Sequence, residues 1–66
     1  MTLPAFENLV GRTVTEERLE RMVQSYYDRA DYRYMSGEAT TEEYNRWTDA
    51  LNRWEQDQRD AGRVQS

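Results

Sequence analysis

The sequence contains no cysteine and no histidine, and all of its basic residues are arginine. Without cysteine there is no disulfide and no thiolate metal site. Without histidine the commonest metal ligand and the commonest general base are missing. Lysine is absent too, so an activated Ser or Thr lacks the usual bases beside it. An enzyme is therefore not expected, and neither is a metal or a cofactor. No apolar run approaches the roughly 20 residues of a membrane span. Met1-Thr2-Leu3-Pro4 has no basic region and no long apolar core, so the expectation is a soluble cytoplasmic protein.

What remains is 66 residues with a formal net charge of −4, rich in carboxylates and aromatic rings. That length supports a single domain, 1–66, with a marginal core that must recruit every apolar side chain available. The acidic balance repels phosphate backbones and favours basic surfaces. Direct DNA reading is not expected, because a helix-turn-helix needs a basic face.

The apolar residues are spaced as in helices. Leu19, Met22, Val23, Tyr26, Tyr27, Ala30 and Tyr34 recur at steps of three and four, which places them on one helical face. Thr15 suits the N-cap, Val14 and Leu19 the two positions of a hydrophobic staple, and Gly37 the stop. A second stripe, Tyr44, Trp47, Leu51 and Trp54, follows Thr40 and Glu43, which have the spacing of a capping box. Pro4 in a first turn, with Leu3, Phe6, Leu9 and Val10 on one face and Gly11 as a terminator, predicts a short N-terminal helix. The expected fold is all-α: an antiparallel hairpin of helices over about 15–35 and 41–60, with a short helix over about 4–10 packed across it and a frayed tail at 62–66.

The polar faces of the two helices differ. On the second, Glu42–Arg46, Asp49–Arg53 and Glu55–Arg59 are acid-first i,i+4 pairs, the pattern of a solvated face. On the first, Arg18, Ser25 and Arg29 form one row with Arg21 beside them, while Glu17, Glu20, Gln24, Asp28 and Asp31 form another. Glu20, Asp28 and Asp31 have no basic residue three or four positions away on this helix. Tyr32 and Met35 lie off the apolar stripe. The candidate partner-binding residues are therefore Glu17, Glu20, Asp28, Asp31 and Tyr32, an acidic strip imitating spaced phosphates beside an aromatic anchor.

The Ser36-Gly37-Glu38-Ala39-Thr40-Thr41-Glu42-Glu43-Tyr44 segment resembles the entry turn of many small helical hairpins, which carries no function of its own. In size, acidity and lack of catalytic side chains, the whole chain is similar to small acidic inhibitors made by bacteriophages and mobile elements, among them anti-CRISPR proteins, some of which occupy a DNA-binding surface. That resemblance implies a non-enzymatic inhibitor that docks on a basic, nucleic-acid-handling surface of a larger protein or nucleoprotein complex. It transfers no residue roles. The alternative is a structural or adaptor protein that buries leftover aromatic surface in a homodimer. The Arg row beside Tyr32 adds a third reading, the grip of a nucleotide or other small anion.

Overall fold

The computed structural model describes residues 3–65. Its elements are β1 (Val14–Thr15), α1 (Glu16–Met35), α2 (Thr41–Asp60) and β2 (Val64–Gln65). Thr15 caps α1, its Oγ1 accepting from the Arg18 N–H at 3.1 Å. Val14 and Leu19 flank that cap and are both buried, as a hydrophobic staple requires. α2 opens on a reciprocal capping box: the Glu43 N–H donates to Thr40 Oγ1 at 3.1 Å, and the Thr40 N–H to Glu43 Oε1 at 2.9 Å. Both helices close with a Schellman motif. After α1 the Glu38 N–H reaches the Arg33 carbonyl (2.9 Å) and the Gly37 N–H that of Tyr34 (3.2 Å). After α2 the Arg63 N–H reaches Gln58 (3.0 Å) and the Gly62 N–H reaches Arg59 (3.1 Å). Gly37 (φ 85°) and Gly62 (φ 73°) supply the left-handed residue that each closure needs.

Contacts across the hairpin run in opposite order along the two helices. Glu16 meets Arg59, Tyr27 meets Asn52, Asp31 meets Tyr44, and Tyr34 meets Thr41. The helices are therefore antiparallel. Leu3, Tyr26, Ala30, Ala39, Trp47 and Leu51 form the main core, and Leu9, Val14 and Leu19 a second patch. Met22 and Trp54 pack against both. Tyr34 sits at the rim, stacked on Tyr44 with centroids 4.9 Å apart.

The N-terminal segment corrects the expected short helix. Residues 4–10 are irregular, because their backbone groups are taken by aromatic tips from the hairpin. The Trp47 indole N–H donates to the Pro4 carbonyl (2.9 Å) and the Trp54 indole N–H to that of Glu7 (3.0 Å). The Glu7 N–H donates to the Tyr26 hydroxyl (2.8 Å). A helix over 4–10 would need these groups for its own ladder, and so short a helix is marginal by itself. The segment is instead a strap. Leu3 and Leu9 are buried and the Phe6 ring lies 5.5–5.9 Å from Tyr26, Trp47 and Trp54. Val10, expected on the same face, is 68% exposed.

The expected helical hairpin is present, with one small addition to the all-α reading. The fold is a mostly helical hairpin that also carries a two-stranded parallel sheet, with Val14 opposite Val64 and Thr15 opposite Gln65. The whole hairpin serves as the crossover that parallel strands require. The sheet lies where a frayed tail over 62–66 was expected; Ser66 falls outside the described residues. Gly62 turns the chain, the Val14 N–H donates to the Arg63 carbonyl (2.8 Å), and the Arg63 guanidinium donates to Oε1 of buried Gln58 (2.9 Å).

Candidate functional site

Helical periodicity brings four of the five candidate residues, Glu17, Glu20, Asp28 and Asp31, to one exposed flank of α1. With a rise of about 1.5 Å per residue, they span roughly 21 Å along the helix. Their surroundings differ. Glu17 Oε1 accepts from Arg21 at 3.4 Å with both side chains largely in solvent, an arrangement that contributes little to stability. Asp28 Oδ1 accepts from the Gln24 amide at 2.9 Å. Asp31 accepts a hydrogen bond from the Tyr44 hydroxyl of α2, so it is fixed to the second helix. Among the described residues, no arginine forms an ion pair with Glu20, Asp28 or Asp31.

Tyr32, the fifth candidate, lies around the helix from this strip. It is 72% exposed and lines a shallow hollow with Asp28, Arg29, Arg33 and Glu38. One turn on, Met35 is 82% exposed. The two make an apolar outcrop at the C-terminal end of α1, beside the acidic flank.

The other flank carries the arginine row. Arg18, Arg21, Ser25 and Arg29 line a hollow with Met22, Tyr26 and Glu7. The Arg29 guanidinium lies over the Tyr26 ring, 5.3 Å from its centroid. α1 is thus divided lengthwise into an acidic and a basic side.

A few of the other charges hold the fold. Arg59 grips Glu16 with two bonds of 2.7 Å and also reaches Glu55 at 3.1 Å, clamping the start of α1 to the end of α2. Those bonds pull the Glu16 pKa below the ordinary glutamate range and raise that of Arg59. Of the three i,i+4 pairs expected on α2, only Glu55–Arg59 forms among the described residues; Arg59 was predicted to pair locally, and its second and stronger partner lies on the other helix. The Glu43 pKa is lowered by the Thr40 backbone N–H of the capping box. Among the described residues, no group of three or more His, Cys, Asp or Glu side chains is placed to hold a metal ion, and no helix is long and apolar enough to cross a membrane. The surface hollows are shallow and open.

Sequence periodicity finds the acidic flank but misses the link from Tyr44 to Asp31, since the two lie on different helices. It also leaves Met35 outside the candidate set, although its position off the stripe was the available signal. The chain matches no family model, no curated protein and no solved structure.

Proposed function

We propose that this protein is a non-enzymatic binding protein that docks the acidic flank of α1 on a basic surface of a larger partner and blocks it, in the manner of a small anti-defence inhibitor. The observation that carries this reading is the row of Glu20, Asp28 and Asp31, exposed on one side of a rigid helix with no arginine paired to any of them. Acidic complementarity of this kind accelerates encounter and selects partners more than it supplies affinity.

Charge density shapes the reading. Four carboxylates over roughly 21 Å give about one charge per 5 Å, whereas duplex DNA carries one per ~1.7 Å. The flank alone is a dilute imitation of a phosphate backbone. Affinity then rests on anchors, and exposed Tyr32 and Met35 at the end of the strip are of the types enriched at interface centres.

The test is capture of proteins from a lysate of the source cell on the immobilised chain, with identification by mass spectrometry at low and high salt. The expected catch is a nucleic-acid-handling protein or complex that high salt or competing duplex DNA releases, and that an E17K/E20K/D28K variant fails to retain. Asp31 is left intact in that variant because replacing it would also cut the Tyr44 bond. Capture that survives the triple reversal at moderate salt overturns the docking assignment. The outcrop of Tyr32 and Met35 also favours a second reading, a homodimer that covers it. In that case only the chain itself is recovered, and its sedimentation coefficient rises with concentration.

A further inference from the structure

The basic flank of α1 has the features of a binding site in its own right. Arg18, Arg21 and Arg29, with the Ser25 hydroxyl between them, surround a hollow of about 290 Å³ floored by Met22 and Tyr26. Among the described residues, neither Arg18 nor Arg29 forms an ion pair, and Arg21 has only the solvent-exposed contact with Glu17. The one carboxylate on the rim, Glu7, is turned to Arg12 and bonded there. The hollow therefore presents three guanidiniums against a single carboxylate that is already matched.

One of those guanidiniums is held in place. Arg29 lies on the Tyr26 ring. That ring is buried, its hydroxyl is fixed by the Glu7 N–H at 2.8 Å, and Phe6 and Trp54 meet it edge-on at 5.5 and 5.7 Å. Stacking on a fixed aromatic face orients a guanidinium while leaving its N–H edge available. Arg18 and Arg21 stand on the preceding turns of the same helix, so their attachment points are fixed relative to it.

We infer that this hollow binds a phosphate monoester group through Arg18, Arg21, Arg29 and Ser25. The choice of anion follows from counting donors and charge. A carboxylate has one charge and two oxygens, which a single arginine fork satisfies. A phosphate monoester brings close to two charges at neutral pH and three acceptor oxygens, the complement of three guanidiniums and a hydroxyl. A long polyanion is disfavoured, since the acidic flank of the same helix and the net charge of −4 repel it. The site adjoins the acidic flank, with Arg21 reaching Glu17 across the boundary, and its occupancy does not rest on the proposed docking role.

The test follows backbone and arginine side-chain signals of the full ¹⁵N-labelled chain by NMR while inorganic phosphate, phosphoserine or adenosine monophosphate is added at constant ionic strength. Sodium acetate, serine and adenosine are the controls. Saturable shifts confined to Arg18, Arg21, Ser25 and Arg29 are expected with all three phosphates and with none of the controls. Tighter binding of phosphoserine would indicate a peptide-borne group, tighter binding of the nucleotide a nucleoside-borne one, and equal binding the phosphate alone; each supports the site. Affinity should fall on acidification from pH 7.5 to pH 5.5, as a monoester takes up its second proton near pH 6. R18Q and R29Q should each weaken binding by about tenfold or more, on the scale of a charge-assisted hydrogen bond, and R46Q on α2 should leave it unchanged. Thermal melts of the variants separate lost binding from lost folding. Shifts that grow linearly without saturation, match those with acetate, or persist in an R18Q/R29Q chain that still folds would overturn the assignment.

Discussion

Tyr44 shows how far one hydrogen bond sets the chemistry of a side chain. Its hydroxyl donates to the Asp31 carboxylate, which favours the protonated phenol, and partial burial acts in the same direction. The pKa is pushed up to about 12 from an ordinary value of 10.0. Because the folded value is raised, this contact contributes its full stability below the ordinary phenol pKa and loses it as the pH climbs through about 12. In an ultraviolet titration of the five tyrosines, one phenol should ionise distinctly late, and D31N should bring it back toward the others. A curve with no late phenol, or one that D31N leaves unaltered, contradicts the bond. Trp47 offers a second test at this scale, since its ring and its N–H act separately. W47F keeps a large ring but leaves the buried Pro4 carbonyl without its donor, at a cost of about 1–3 kcal/mol. W47A also removes the ring from the core and should cost about 3–5 kcal/mol. Urea unfolding of the two variants measures the difference. Equal losses would mean that the indole hydrogen bond to the strap contributes nothing.

Among the elements, the C-terminal closure of α2 connects local chemistry to the sheet. Gly62 takes φ 73°, and a Cβ placed there would meet nothing within 4 Å. A G62A substitution therefore costs conformational strain alone, about 1–2 kcal/mol for an L-residue in the left-handed region. Since Gly62 aims Arg63 and Val64 at β1, hydrogen exchange at the Val14 N–H should accelerate in G62A more than exchange in the middle of α1. If the two rise equally, β2 is not a separate local unit. The same contrast explains what the sequence discloses. The helices, their caps and the acidic flank are written in steps of three or four residues, so a local reading recovers them. The strap is not: the bonds that hold it straighten residues 4–10 from 43 and 47 positions away. Its Leu3, Phe6 and Leu9 spacing imitates a helix because an irregular segment can also turn every third residue inward. β1 and β2 are two residues each, too short for alternation to register, and their pairing depends on a hairpin that must form first. Within the candidate site, Glu17, Glu20 and Asp28 are legible as surface, whereas the tie of Asp31 to the second helix exists only once both helices are placed.

On the scale of the whole molecule, two carboxylates close the two ends of an elongated body with extents of 36 × 17 × 15 Å. Glu43 completes the capping box at the loop end, and Glu16 joins Arg59 at the open end, where the strands also meet. Both pKa values are lowered in the folded state, Glu16 by its bonds to Arg59 and Glu43 by the Thr40 backbone N–H. A depressed folded value means that the stabilisation is present above the unfolded pKa, near 4.5, and is lost as the pH falls through the folded value below it. General charge acts in the same direction. With no lysine or histidine to titrate, acid converts a chain of net charge −4 into one dominated by nine arginines that repel one another. The two causes separate by substitution. In thermal melts followed by circular dichroism, the melting temperature of the unaltered chain should decline steeply as the pH drops below about 4.5. An E16Q/E43Q variant should melt lower at neutral pH, because both clips are weakened, and should show a shallower acid decline, because two of the groups that must take up protons are gone. A double variant whose acid decline is as steep as that of the unaltered chain would place the acid sensitivity in the distributed arginine charge, and the clips would then be no more than ordinary surface contacts.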